Sequence, residues 1–197
     1  MRKKEMDESS LDWRQNIVLS LKDLLSVLIG VLILFLLFFR VIVVSGSSMY
    51  DTLIDGDYLL LVSNVLYREP AQGDIIVASK ESHEDGAPII KRVIATEGQT
   101  VDIDFAAGIV YVDGLPLEED YTYTPTNVEE GMHFPLVVEE NCIFAMGDNR
   151  NKSKDSRHPD IGLIDKREIL GRAVFLILPG TDTGMPGPDY GRMGAIK

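Results

Sequence analysis

The stretch that divides this chain in two reads LLSVLIGVLILFLLFFRVIVV and runs from Leu24 to Val44. Only Ser26, Gly30 and Arg40 interrupt its series of large apolar side chains. An α-helix rises about 1.5 Å per residue, so about 20 apolar residues cross the hydrocarbon core of a bilayer. Residues 24–44 are therefore predicted to form a transmembrane helix.

Basic residues cluster on the N-terminal side of this helix. Those that precede it are Arg2, Lys3, Lys4, Arg14 and Lys22. After Arg40 the next basic residue is Arg68. Since Lys and Arg near the ends of a membrane helix stay on the cytoplasmic side, residues 1–23 are predicted to be cytoplasmic. The sequence thus predicts a single-pass protein of the cytoplasmic membrane, with the rest of the chain on the outer face, next to the lipid bilayer.

A cleavable secretory signal is the main alternative for this segment. The small residues at Ser45–Ser48 could imitate its cleavage site. The apolar region of such a signal is about 7–15 residues long, however, and this one is longer. A retained membrane anchor is therefore the favoured interpretation.

Composition argues against two classes of function, nucleic-acid binding and zinc binding. The chain has 197 residues with a net charge of −12, and 13 basic against 26 acidic residues follow Arg40. A nucleic-acid partner is not expected, because binding phosphates needs a basic face. With one cysteine and three scattered histidines, the chain also lacks the usual ligands of a zinc site. We expect no metal and no cofactor.

After the apolar segment the pattern changes to short runs rich in Val, Ile and Tyr, bounded by Gly, Pro, Asp and Asn, which is typical of β-strands. The predicted strands lie near 41–45, 57–63, 74–79, 88–96, 100–104, 108–112, 134–138, 142–146 and 171–178. Asp113-Gly114 predicts a tight hairpin turn, because both residues tolerate positive φ angles. Asp165 and Glu168 have the spacing of a capping box, which predicts one short helical turn.

Many short strands without alternating helices predict a mostly β fold, an antiparallel sheet of barrel or sandwich type behind one N-terminal helix. Residues 45–180 would form this external domain, and residues 98–140 a small insert of β-hairpins. Residues 181–197 are rich in Gly and Pro, so we expect a tail with little fixed structure. The run Tyr58–Tyr67 is a candidate lipid contact, although a buried strand is the favoured reading.

Lys91 and Arg92 stand inside an otherwise apolar predicted strand. Since neighbours on a strand point to opposite faces, one of the two must point inward if one face is packed. Burial disfavours an ammonium and lowers its pKa, and a neutral lysine can act as a general base on a serine hydroxyl. The alternative is an edge-strand lysine that blocks aggregation.

Two other chemistries are weaker. The segment from Gly147 to Ser153 approaches a phosphate-binding loop, but Asn151 stands where the second glycine belongs and no convincing helix follows. A Ser-His-Asp triad needs a histidine held by a carboxylate, and His158, near Asp155 and Asp160, is the one candidate.

Five motifs occur in order behind the predicted anchor. They are GSSM (Gly46–Met49), GDIIV (Gly73–Val77), IKRV (Ile90–Val93), GDNRNKSKDSR (Gly147–Arg157) and GRA (Gly171–Ala173). Each is weak by itself. Together they make the chain closely resemble the bacterial type I signal peptidases, over about Val41–Pro179.

The resemblance implies a membrane-anchored serine endopeptidase that removes signal peptides from exported preproteins. Ser48 matches the family's nucleophile and Lys91 its general base. Ser153 matches the hydroxyl that orients this lysine. Asp155 and Arg157 match an ion pair that supports the site.

Further positions follow from the same resemblance. The backbone N–H of Ser48 would stabilise the oxyanion, whereas a serine hydroxyl that some relatives add is replaced here by Gly46. Arg92 and Arg150 look structural. Asp51 occupies a position that is usually proline, so this turn must obtain its rigidity in another way, by hydrogen bonds of the Asp51 side chain to the backbone for example.

Three functions therefore remain open. The first is a signal peptidase in which Ser48 attacks and Lys91 carries the proton. The second is a single-pass β-domain that binds or assembles partners without catalysis and leaves Lys91 exposed. The third is a maturation peptidase of the same fold with one dedicated substrate.

Overall fold

The N-terminal helix is longer than the apolar pattern indicates and ends earlier. The computed structural model describes residues 2–81, 86–182 and 186–196, and its helix α1 spans Arg2–Phe38. Within α1, residues Gln15–Phe38 are long and apolar enough to cross a membrane. The predicted end at Val44 is wrong, because Phe39–Val43 forms a strand. Its β-branched side chains lose rotamer freedom in a helix and suit a sheet.

Twelve strands follow α1 in the described chain. They are β1 (Phe39–Val43), β2 (Tyr58–Ser63), β3 (Ile75–Ser79), β4 (Pro88–Thr96), β5 (Thr100–Asp104), β6 (Ile109–Val112), β7 (Leu115–Pro116), β8 (Leu136–Val137), β9 (Cys142–Met146), β10 (Ile164–Asp165), β11 (Ile169–Leu178) and β12 (Gly194–Ala195). All nine long runs expected from the sequence contain a strand, whereas β7, β10 and β12 have two residues each and were not expected.

The larger sheet has the order β1-β2-β11-β3-β4-β9-β10, with β12 paired to β11, and every pair is antiparallel. The predicted antiparallel class is thus confirmed. The barrel-like form is not, because β1 and β10 end the sheet and do not pair with each other within the described ranges.

A second sheet of order β7-β6-β5-β8 occupies residues 100–137, inside the predicted insert. Asp113 and Gly114 have φ angles of 53° and 78° and join β6 to β7, as the hairpin motif predicts. The buried residues Val101 and Val110 pack into one cluster with Phe144 of β9. This shared core fastens the small sheet to the strand that precedes the GDNRNKSKDSR motif.

The C-terminal tail has more fixed structure than its glycines and prolines suggest. β12 pairs with Phe175 and Leu176 of β11, and the Ile196 N–H donates to Val174 O at 3.1 Å. The expectation of an unstructured tail is therefore wrong for residues 189–196. Local composition does not reveal this pairing, because the edge of β11 lies next to the tail only in the folded chain.

Strand β11 needs a glycine where it crosses β2. A Cβ atom on Gly171 would overlap the carbonyl oxygen of Val62, which is backbone and cannot move aside cheaply. We expect Gly171→Ala to lower stability by roughly 1–3 kcal/mol, which is the usual cost of overpacking. Thermal unfolding of the full chain in detergent, followed by circular dichroism, measures this as a fall of several degrees in Tm. The matched control is Gly187→Ala, because nothing lies within 4 Å of a Cβ there. Equal Tm values for the two variants would contradict the prediction.

Candidate active site

The turn after β1 carries Ser48 and is held in place by hydrogen bonds and buried side chains. Val44 N–H donates to Asp57 O at 2.8 Å, and Leu53 N–H donates to Met49 O at 2.8 Å. Met49 and Leu53 are each only 1% exposed, so they fasten the turn to the core. Ser48 is consequently held half-buried at a fixed place.

Gly46 shapes the entry to this turn. Its φ angle of 86° lies in the left-handed region, which disfavours any side chain. Its backbone N–H donates to Asp55 Oδ1 at 2.8 Å. Gly46 therefore contributes backbone geometry and one hydrogen bond.

Lys91 reaches Ser48 from β4. Its side chain is buried, at 4% exposure, and Nζ lies 2.8 Å from Ser48 Oγ. The same Nζ donates to its neighbour's carbonyl, Ile90 O, at 3.0 Å. This second contact leaves the nitrogen aimed at the serine hydroxyl.

Burial lowers the pKa of Lys91 from 10.5 to about 8, because a buried ammonium loses its hydration. The carboxylates of Asp155, Glu130 and Asp148 act in the opposite direction, but burial outweighs them. An amine with this pKa is half neutral near pH 8. A neutral amine 2.8 Å from a hydroxyl has the geometry to accept its proton.

Ser153 lies beside the nucleophile's backbone. Its Oγ is buried and has no hydrogen-bond partner among the described residues. A Cβ on Gly147 would overlap both this Oγ and Ser48 O, so Gly147 must lack a side chain. The structure thus brings Ser153 into the site without the hydrogen bond to Lys91 that the resemblance implies.

Asp155 and Arg157 form the ion pair that the resemblance implies. Arg157 donates from Nε and Nη2 to the two carboxylate oxygens, at 2.9 and 2.8 Å, and both side chains are fully buried. Burial raises the pKa of Asp155, but the Arg157 guanidinium outweighs it and the net direction is downward. Asp155 also accepts from Gly147 N–H at 3.0 Å, which fixes the backbone beside Ser153.

A second buried ion pair joins Arg92 to Asp148. The guanidinium donates to both carboxylate oxygens, at 2.9 and 2.7 Å, and stacks over the Tyr121 ring at 4.0 Å. Asp148 also accepts from Thr52 Oγ1 at 2.6 Å, in the turn that carries Ser48. Arg92 therefore has the structural role expected of it. Arg150 has one as well, pairing with Glu119.

Residues that the sequence analysis did not single out also position Ser48. Asn149 N–H donates to Ser48 O at 3.0 Å, and its side-chain amide donates to Ser47 O at 3.0 Å. Thr52, described above, is the other. Asn149 belongs to the GDNRNKSKDSR motif, whereas Thr52 lies in none of the five motifs. Contacts across about 100 residues leave no local pattern in the sequence.

The competing chemistries fit less well. Nδ1 of His158 accepts from Asp160 N–H at 3.1 Å, and no histidine within residues 2–81, 86–182 and 186–196 hydrogen-bonds to Ser48. His83 lies outside the described residues. After Gly147 the chain makes a three-residue 3-10 turn at Arg150–Lys152, which is not the helix that a phosphate-binding loop needs.

A groove of about 660 Å³ opens beside the two reactive side chains. Residues 42–45 and 87–91 form its long walls, and Ser48 and Lys154 also line it. Along residues 88–91 β4 pairs with β3 on one edge, while β9 pairs only with residues 92–96 on the other. Among the described residues, both walls of the groove thus have a strand edge that pairs with no other strand.

The chain is similar to signal peptidases over most of its length. The family model described as "Signal peptidase, peptidase S26" matches residues 17–178. A probable signal peptidase I-1 of Synechocystis is 38% identical over 152 residues, which cover 73% of this chain and 74% of that protein. Signal peptidase I T of Bacillus subtilis is 33% identical over 184 residues, which cover 89% of each.

A crystal structure of a signal peptidase I from Enterococcus faecalis also matches, with a TM-score of 0.43 and 28% identity, covering 53% of this chain and 96% of that one. The family assignment rests on the sequence matches. On their extent and identity, the chain belongs to the peptidase S26 family of signal peptidases, which are serine endopeptidases.

Proposed function

We propose that this chain is a membrane-anchored signal peptidase that cleaves signal peptides from exported preproteins, with Ser48 as nucleophile and Lys91 as general base. One observation carries the proposal: Nζ of a buried lysine lies 2.8 Å from Ser48 Oγ. The relatives named signal peptidase support the substrate class.

In the proposed reaction Lys91 takes the proton of Ser48 as Oγ attacks the scissile carbonyl carbon. The backbone N–H of Ser48 stabilises the oxyanion that forms. Lys91 then gives the proton to the leaving amine, and the peptide bond breaks. A water molecule, deprotonated by the same lysine, releases the acyl group and restores the serine.

The substrate segment around the scissile bond would bind as an extended strand in the groove. Unpaired edges at residues 42–45 and 88–91 offer backbone donors and acceptors on both sides, which is how a sheet recruits a peptide strand. Such binding depends mainly on the backbone of the substrate and less on its side chains. It suits an enzyme whose substrates differ widely in sequence.

The membrane topology is part of the proposal. Nine residues, 39–47, lie between Phe38, the last residue of α1, and Ser48. With residues 1–23 in the cytoplasm, the chain would present Ser48 on the outer side of the membrane, where exported preproteins emerge. We propose the lipid bilayer as the second partner of the protein, through the apolar Gln15–Phe38 segment.

The non-catalytic alternative needs an exposed Lys91, and the side chain is buried. A peptidase with one dedicated substrate shares all of the chemistry above. A panel of preproteins separates it from the general enzyme, because the dedicated peptidase would cleave one of them at most.

The first prediction for the proposed reaction concerns Ser48→Ala. The full chain in detergent, incubated with exported preproteins, is expected to cleave after the signal peptide, and the variant is expected to lose all detectable cleavage, since it lacks the attacking oxygen. Sequencing the new N-terminus of the product locates the cut. The control is Ser47→Ala, an exposed neighbour on the same turn, which is expected to cleave. Cleavage by Ser48→Ala would assign the nucleophile elsewhere.

The second prediction is a pH profile. We expect kcat/KM to rise with pH and to reach half its maximum near pH 8, because the base is the neutral form of Lys91 and its pKa is about 8. Lys91→Arg is expected to be inactive at every pH, since a guanidinium stays protonated. Initial rates between pH 6 and pH 10 measure both. A flat profile, or an active Lys91→Arg variant, would remove lysine from the mechanism.

The third prediction tests the burial of Lys91 without using activity. The folded-state pKa of about 8 lies below the usual lysine value of 10.5, so keeping the charged ammonium buried in the folded protein costs stability, on the order of 3 kcal/mol below pH 8. This cost disappears as pH rises from 8 to 10.5. Lys91→Met is therefore expected to be more stable than the natural chain at pH 7. At pH 10 the difference in stability is expected to be smaller. Urea unfolding at the two pH values measures the difference. A gain that does not change with pH would contradict a depressed pKa.

A further inference from the structure

The C-terminal tail contacts the turn that carries Ser48. Arg192 donates from Nη1 and Nη2 to the two carboxylate oxygens of Asp57, at 2.9 and 2.7 Å, and from Nη2 to Thr52 O at 3.2 Å. Thr52 lies four residues after Ser48 on the same turn. Its side chain is already bonded to Asp148 on the opposite side. The tail thus holds one side of the turn and the ion-pair network holds the other.

Asp57 extends this contact into the backbone. Its carboxylate is fully buried and also accepts from Ile54 N–H at 2.9 Å and from Gly180 N–H at 2.7 Å. A Cβ on Gly180 would overlap Asp55 O, so the chain at residue 180 packs directly on the end of the turn. The Asp57 carboxylate thus joins the end of the turn to the start of the tail. Arg192 supplies the positive charge that pairs with it.

The tail itself is anchored well enough to act as a support. β12 holds residues 194–195 on β11, and the Asp189 side chain accepts from Gly191 N–H at 2.9 Å, which closes the turn that presents Arg192. The side chain of Arg192 is 22% exposed, while its partner Asp57 is fully buried. A bidentate pair of this kind fixes orientation as well as distance.

Residues 50 and 51 add less support to the turn. The side chain of Asp51 is exposed and makes no hydrogen bond to any of the described residues, and Tyr50 OH donates to Asp182 Oδ2 at a long 3.2 Å. We propose that Arg192 is a positioning residue for Ser48: the tail, through Arg192, Asp57 and Thr52 O, keeps the serine-bearing turn in its reactive orientation. This inference rests on the proposed function, because it assigns Arg192 a part in the same reaction.

The test compares Arg192→Ala and Arg192→Lys with the natural chain, full length in detergent. Arg192→Ala is expected to lower kcat roughly 10-fold to 100-fold, because small displacements of a reacting group have effects of this size. KM is expected to change less than about twofold, since Arg192 does not line the groove. Arg192→Lys is expected to fall between the two, because an ammonium keeps the charge and loses the bidentate geometry.

The matched control is Arg167→Ala. Arg167 also makes a bidentate pair with an aspartate, Asp165, but its side chain is 89% exposed and it lies outside the groove and the Ser48 turn. It is expected to keep the kcat of the natural chain. Full kcat in Arg192→Ala, or a kcat loss no larger than the loss of folded protein measured by circular dichroism, would overturn the inference.

Amide hydrogen exchange gives a readout that does not depend on cleavage. In Arg192→Ala, the amides of residues 49–54 are expected to exchange faster, while those of β3 and β4 keep their rates. If the natural chain cleaves no preprotein, the proposed function fails, and this exchange measurement still decides whether the tail holds the turn. Unchanged exchange at residues 49–54 would refute that support directly.

Discussion

The buried ion pair between Arg92 and Asp148 is the interaction on which the site depends. Arg92 follows Lys91 on β4, so the strand presents the Lys91 amine to Ser48 and the guanidinium to Asp148. Asp148 in turn accepts from Thr52, in the turn that carries Ser48, and Asn149 beside it donates to the backbone at Ser48. A single strand thereby helps to position both Lys91 and Ser48. Removing one partner of such a pair leaves an uncompensated buried charge, typically at a cost of about 3–5 kcal/mol.

The same burial that makes this network costly also lowers the pKa of Lys91, as the proposed mechanism requires. An exposed lysine keeps its proton at neutral pH and cannot serve as a base. Here the loss of hydration lowers the pKa, and three nearby carboxylates limit that effect. One of the three, Asp155, is itself neutralised by Arg157, which weakens its pull on the lysine proton. The surrounding ion pairs therefore allow acidic groups close to the base without fixing the proton on it.

The sequence predicted those parts of the fold that rest on local pattern. Runs rich in Val, Ile and Tyr located nine of the twelve described strands, and Asp113-Gly114 located its hairpin, because both signals lie within a few residues. The predicted end of the helix was wrong, because Val41–Val44 is apolar enough for a membrane helix and β-branched enough for a strand. Only the pairing with β2 decides between these two structures. The tail was wrong for a related reason. Ser48 and Lys91 were predicted from the motifs and from strand alternation, and their side chains lie 2.8 Å apart. The contacts of Asn149, Thr52 and Arg192 join distant segments, which no local pattern predicts.

The turn at Asp51 is made rigid by contacts with other segments and not by a proline of its own. A proline at this place would stiffen the turn by fixing one φ angle, with no partner needed. The Asp51 side chain was expected to replace that effect by bonding to the backbone, but it is exposed and makes no hydrogen bond within the described ranges. Stiffness comes instead from Asp148 and Asn149 on one side and the tail on the other. Rigidity of this kind is conditional, because it depends on contacts with β4, the 148–149 segment and the tail, which lie between 43 and 140 residues away along the chain.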